Sequence, residues 1–231
     1  MIEGITSCSH LGKPNYELAL QQHADYVRAL TECGVKVTIL PSDESFPDSC
    51  FVEDTAVMLP QGSGVIITNP GAKSRKGEID SIKDCMYDFF PHQQQCIYEI
   101  TAPGTLDGGD VMQIGNHFYI GISERTNENG AKQMIDILQK HKDISHNHNQ
   151  SLTGSTVTLK DMLHLKTGVN YLEKGNLLVS GEFEDRNWNS ASEVASDVDV
   201  DMEVITDAFV VPEQERYATN SLYIANNTVL V

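Results

Sequence analysis

Apolar residues recur along the chain in two periods, and the switches between them mark out its elements. From Tyr16 to Thr31 the positions Leu18, Leu20, Tyr26, Val27 and Leu30 return at helical spacing, and Gly34 supplies a stop. Val35, Val37 and Ile39 then alternate with polar partners before Pro41, the pattern of a half-buried strand entering a turn. Phe51 to Leu59 and Gly64 to Thr68 are β-like runs joined by the turn-forming PQGSG, which predicts a hairpin. A helix is expected from about Glu78 to Phe90.

The same order then returns. Strand CIYEI is followed by hairpin DVMQI-GN-HFYIGI, a helix from Asn127 to His141, strand TVTL and hairpin VNYLEKGNLLVSG. Strand EVITDAFVV and hairpin SLYIANNTVLV complete the series, with no helix expected between the third and fourth hairpins. The polar inserts around Asp143 to Gly154 and Glu184 to Asp201 read as solvated loops. Corresponding points at Asp54, Asp110, Gly168 and Asn220 fall roughly 55 residues apart, long enough for one supersecondary module each. Identity between modules is slight, so the repeat is one of element order, with apolar hairpins that could line up around a common axis.

Composition narrows the class without choosing a function. A 40% apolar share with 17 glycines and 8 prolines is that of an ordinary globular chain, and 231 residues suffice for one large domain or two small ones. A formal charge of −17 repels phosphates and argues against nucleic acid or an anionic membrane surface as partner. The start MIEGITSCSH has no basic region followed by an apolar run, and no stretch suits a membrane span, which reads as a cytoplasmic protein. The five cysteines, Cys8, Cys33, Cys50, Cys85 and Cys96, are irregularly spaced and read as reduced thiols.

Acidic residues gather at hairpin entrances: Asp48 in SFPDSC, Glu53 and Asp54 in FVEDTA, and Asp107 and Asp110 in TLDGGD. Singly, a carboxylate beside Gly or Pro can just as well cap a turn. Converging on one pocket, they would bind a planar cation such as guanidinium through charge-assisted hydrogen bonds. Arg75 in GAKSRKGE and Arg125 in ISERTN follow related hairpins, and could be surface arginines or a pair forked onto an α-carboxylate. His164 in LHLKTG lies between two leucines, as a core residue or as a general acid and base. His141, His146 and His148 have no carboxylate or cysteine framework around them and read as loop histidines, so no metal site is assigned.

The segments SHLGKP, FPDSCFVEDTAV, ITNPGAKSRKGE, TLDGGD, HFYIGISERTN and LHLKTG resemble, in order and with similar spacing, the dimethylarginine dimethylaminohydrolases of the guanidine-modifying, or amidinotransferase, superfamily. The resemblance implies a pentein-type α/β propeller of ββαβ-like modules, within a single domain over residues 1–231, with four modules visible and the fifth missing or incomplete. It implies that Asp48, Glu53 and Asp54 hold a substrate guanidinium, that Arg75 and Arg125 hold the amino-acid carboxylate, and that the backbone of Ile5 meets the substrate. It further implies that Asp107 orients His164 and that His164 is the acid and base.

The implied reaction is hydrolysis of Nω-methylated arginine to citrulline and methylamine or dimethylamine, through a covalent cysteine thiouronium and without a cofactor. A homodimer is compatible with the resemblance. In relatives the nucleophile is a cysteine near the C-terminus after a Gly-Gly pair, and no cysteine here follows Cys96. The expectation is therefore a chain truncated at both ends, with no nucleophile of its own and inactive as given. The rivals are an arginine deiminase-like hydrolase, and a non-catalytic guanidine binder or incomplete gene product.

Overall fold

Every hairpin expected from the sequence forms, and each is entered through a short helical turn that the sequence pattern did not announce. The computed structural model describes residues 2–6, 9–144, 151–188, 204–225 and 228–230, and the chain divides into two compact units, Met1–Val52 and Glu53–Val231.

In the first unit, helix α1 (Tyr16–Glu32) begins where the Asn15 side chain accepts the Leu18 amide at 3.0 Å. It ends at Gly34, whose φ of 83° an L side chain would resist and whose amide returns to Thr31. The strand expected over Val35 to Ile39 does not form. Among the described residues this segment has no ladder partner, and alternation becomes a strand only where a neighbour takes up the backbone hydrogen bonds.

The second unit repeats one arrangement. Strands β1 (Ala56–Met58) and β2 (Val65–Ile67) pair antiparallel, helix α2 (Ile79–Phe89) follows, and β3 (Ile97–Glu99) returns parallel to β2. Strands β4 (Val111–Ile114) and β5 (His117–Ile122), helix α3 (Glu128–Ile144) and β6 (Thr153–Thr158) do the same. After the single helical turn α4 (Leu165–Gly168), β7 (Val169–Tyr171) pairs with β8 (Asn176–Val179), and β9 (Asp207–Val210) lies parallel to β8. Strands β10 (Leu222–Ala225) and β11 (Thr228–Leu230) form a last antiparallel pair. A parallel return needs a crossover long enough to span the sheet, which α2 and α3 provide. His146 and His148, and most of the two polar inserts, lie outside the described residues.

The middle sheet has apolar contacts on both faces. Val111, Phe118 and Ile120 join a core with Val57, Ile66, Leu106, Met134 and Leu138, while Met112, Ile114 and Tyr119 point into another with Val157, Leu165, Leu177 and Phe183. The period of two in a strand sends alternate side chains to opposite faces, so this sheet is covered on both sides. His141 belongs to this packing and not to a loop: it is buried on α3, with Nδ1 3.0 Å from the Tyr98 hydroxyl and Nε2 3.0 Å from Ser63 Oγ. Helix α3 runs on past His141 to Ile144.

The turns at the hairpin entrances set the site. Val52–Thr55 is a 3₁₀ turn before β1 where the sequence suggested strand from Phe51, and Gly108–Asp110 is another before β4. α4 precedes β7, and Glu213–Thr219 precedes β10. Asp54, Asp110 and His164 all stand in or beside these turns.

Candidate active site

Three entrances of the second unit converge on the His164 imidazole. Its Nε2 lies 3.8 Å from Asp54 Oδ1 and 4.0 Å from Asp107 Oδ2, while its Nδ1 lies 3.4 Å from Asp110 Oδ2. Asp54, Asp107 and Asp110 are each buried, and Asp110 is fully so. Residues separated by over a hundred positions are thus brought to within 4.0 Å of one imidazole.

Glycine makes the approach possible. A Cβ on Gly109 would stand 2.9 Å from the His164 ring and from Asp54 Oδ1, and one on Gly108 would run into the Glu53 carbonyl. The Gly109 amide donates to Asp54 Oδ1 at 3.0 Å, so the TLDGGD turn and the VED turn brace each other.

Burial opposes a charge on His164, but Asp110, Asp54 and Asp107 together outweigh it, and the imidazole titrates above its ordinary value. Burial likewise pushes the Asp107 carboxyl up, against a hydrogen bond from the Gly71 amide, with the negative charge of Asp54 adding to the rise. That Gly71 bond, at 2.8 Å, ties the GAKSRKGE loop to Asp107. Gly71 also lies against the Arg125 backbone, where any Cβ would collide.

The two arginines differ. Arg75 is buried, with NH1 2.6 Å from Asp54 Oδ2 and with Nε and NH2 on Glu78 at 2.7 to 3.1 Å. Burial works against its charge, but these bonds hold its pKa above the ordinary guanidinium value. Arg125 is half-buried, and its guanidinium makes no ion pair among the described residues. Glu53 is more exposed, and Lys166, two residues beyond His164, reaches its Oε1 at 2.5 Å.

Ile5 and Asp48 lie in the first unit, where the Ile5 amide donates to both Asp48 oxygens at 3.1 Å. Asp48 is buried.

Two features were missed in the sequence reading. Glu78, the partner of Arg75, stands in the quoted SRKGE motif at a helical spacing of three from the arginine. For Asp110, counted in the sequence only within the TLDGGD acidic cluster, what was missed is its place beside His164, with Oδ2 3.4 Å from Nδ1.

The family model described as N,N dimethylarginine dimethylhydrolase, eukaryotic, matches residues 8–182. The chain belongs to the dimethylarginine dimethylaminohydrolase family. It is 44% identical over 230 residues to an N(G),N(G)-dimethylarginine dimethylaminohydrolase of Pseudomonas aeruginosa, covering all of this chain and 79% of that protein. A solved structure of the Pseudomonas aeruginosa enzyme, a Cys-to-Ser mutant complexed with citrulline, superposes with a TM-score of 0.82 at 44% identity over 99% of this chain and 78% of that one. A dimethylarginine dimethylaminohydrolase with its own His-to-Gly substitution, in an adduct with S-methyl-L-thiocitrulline, matches with the same TM-score, identity and coverage. The fold is the pentein-type α/β propeller of this family. No helix of the described residues is long and apolar enough to cross a membrane.

Proposed function

We propose that the protein hydrolyses Nω-methylated arginines to citrulline and methylamine or dimethylamine. The observation that carries this reading is one imidazole set among three buried carboxylates, in a chain 44% identical to a dimethylarginine dimethylaminohydrolase. Asp54 and Asp107 face Nε2 of His164, and a substrate guanidinium held by them lies within reach of that nitrogen. Glu53, opposed by Lys166, adds negative charge near the entrance, and Arg125 is the cation available for the amino-acid carboxylate. Arg75 enters as the fixed countercharge that holds Asp54 in place.

The chemistry follows from these charges. A thiolate adds to the guanidinium carbon, the C–N bond to the methylated nitrogen breaks, and the amine leaves with a proton from His164 Nε2. Water, losing a proton to the same nitrogen, then adds to the thiouronium carbon; the C–S bond breaks and citrulline is released. The surrounding carboxylates raise the His164 imidazole above its ordinary value, which favours the protonated form that the first of these transfers uses.

Calorimetry with dimethylarginine and S-methyl-L-thiocitrulline tests binding. Asp54→Asn is expected to weaken both at least about tenfold, the loss of one charge-assisted hydrogen bond. Citrulline release is expected to fall at least ~100-fold on His164→Gly. No heat with either ligand, and no citrulline from dimethylarginine, would overturn the proposal; a strong preference for unmethylated arginine would shift it to a deiminase.

A further inference from the structure

We propose that Gly71 is a positioning residue that sets the span between the two ends of the site, and with it the length of substrate chain the protein accepts. The inference rests on the reading of the His164 pocket as the guanidine end and of Arg125 as the cation for an amino-acid carboxylate.

Those two ends are carried by different segments, and Gly71 touches both. On one side its amide donates to Asp107 Oδ1 at 2.8 Å, while the other oxygen of that carboxylate lies 4.0 Å from His164 Nε2. On the other side its bare Cα lies against the Arg125 backbone. A Cβ there would stand 2.5 Å from Arg125 Cα, 2.7 Å from its carbonyl carbon and nearer still to its oxygen. Backbone atoms have no rotamer by which to give way, so any residue but glycine must push one segment aside. Thr126, next to Arg125, closes the third side, its Oγ1 accepting the Asp107 amide at 3.1 Å. Three contacts among three segments hold Asp107 and the Arg125 backbone at one separation.

The loop that carries Gly71 is itself held. Thr68 Oγ1 donates to the Asp54 carbonyl at 2.7 Å, and the Asn69 carbonyl accepts the Leu106 amide at 3.0 Å. The Asn69 side chain donates to the Gly104 carbonyl and accepts from Lys76 Nζ at 2.7 Å. Of the two segments that Gly71 meets, Asp107 is buried and Arg125 only half-buried, so a methyl group at position 71 displaces the Arg125 turn and lengthens the span. In an arginine derivative a run of methylenes separates the guanidinium from the α-carbon, and a fixed span selects their number.

The test is calorimetry of wild type and Gly71→Ala with three ligands: Nω-methyl-L-arginine, its homologue with one more methylene, and Nω-methylagmatine, which lacks the carboxylate. Wild type should prefer the arginine compound to its homologue by at least about tenfold, the usual discrimination for one methylene. Gly71→Ala should lose that preference through weaker binding of the arginine compound, with methylagmatine bound as before because it offers Arg125 nothing to hold. A glycine needed only for packing would weaken all three ligands by one factor. That result, or an unchanged preference in folded Gly71→Ala, would overturn the inference. If circular dichroism shows Gly71→Ala unfolded, Asn69→Ala frees the loop without adding bulk and should narrow the preference in the same sense; no narrowing there counts equally against it. A wild type that binds the arginine compound and its homologue alike would remove the span as a selector while leaving the proposed function standing. A wild type that binds none of the three would overturn that function, and the inference with it.

Discussion

Arg75 and Arg125 occupy related places in successive modules, and one guanidinium is committed while the other is open. Arg75 is enclosed with Asp54 and Glu78, and removing it would strand two buried carboxylates. Arg75→Ala should therefore destabilise the fold by about 3–5 kcal/mol, read as a lower urea midpoint at unchanged slope. Arg125→Ala is expected to leave the midpoint nearly unmoved and to weaken substrate binding in calorimetry. The reverse pattern would exchange their roles. The sequence could place both arginines after hairpins, but not say which would meet a carboxylate of its own chain, because Glu78 approaches only in the 3₁₀ turn Lys73–Glu78 and Asp54 only in the VED turn. The same limit explains Asp107 and Asp110. They are three positions apart in one turn, and only the fold decides which edge of His164 each one faces.

At the scale of elements, period and turn chemistry recovered what local pattern encodes. The hairpins and the helices α1, α2 and α3 were legible because their apolar positions repeat. The 3₁₀ turns at the hairpin entrances have no such repeat, being too short to show one, and they are what aims the site. His141 was misread for a related reason: it sits at the polar end of α3, and its burial depends on Tyr98 and Ser63 arriving from β3 and from the β1–β2 connection. Burial holds its pKa below the ordinary value of about 6.5, so the unfolded chain binds the extra proton. Its contribution to stability is therefore kept at higher pH and lost as pH falls from about 6.5 through the folded pKa. His164 has the opposite sign, because its folded pKa is raised: its contribution is present below about 6.5 and lost as pH rises through the folded value. His141→Gln should cost roughly 1–3 kcal/mol near pH 8 through its broken hydrogen bonds, with the difference from wild type shrinking toward pH 5. A difference that grows on acidification would contradict this assignment.

For the molecule as a whole, the modular order read from the sequence reappears among the described residues as three sheets built on one plan, each a hairpin joined by a parallel third strand, followed by the β10–β11 hairpin. The period of about 55 residues was a trustworthy sign because it spans a whole unit of hydrogen-bonded structure. What the period could not show is how deep the site lies within the second unit. Strand β5 is paired on both sides and buried on both faces, and its Gly121 stands against Asp110 and Leu165. The Leu165 amide, bonded to Asp110, therefore has no small local opening through which to meet solvent. Its exchange with deuterium should require unfolding of the unit, giving a protection free energy equal to that from urea, while β10 and β11 amides exchange sooner. One backbone proton beside the imidazole thus becomes a reporter of global stability, and a fast Leu165 amide would mean that the pocket breathes on its own.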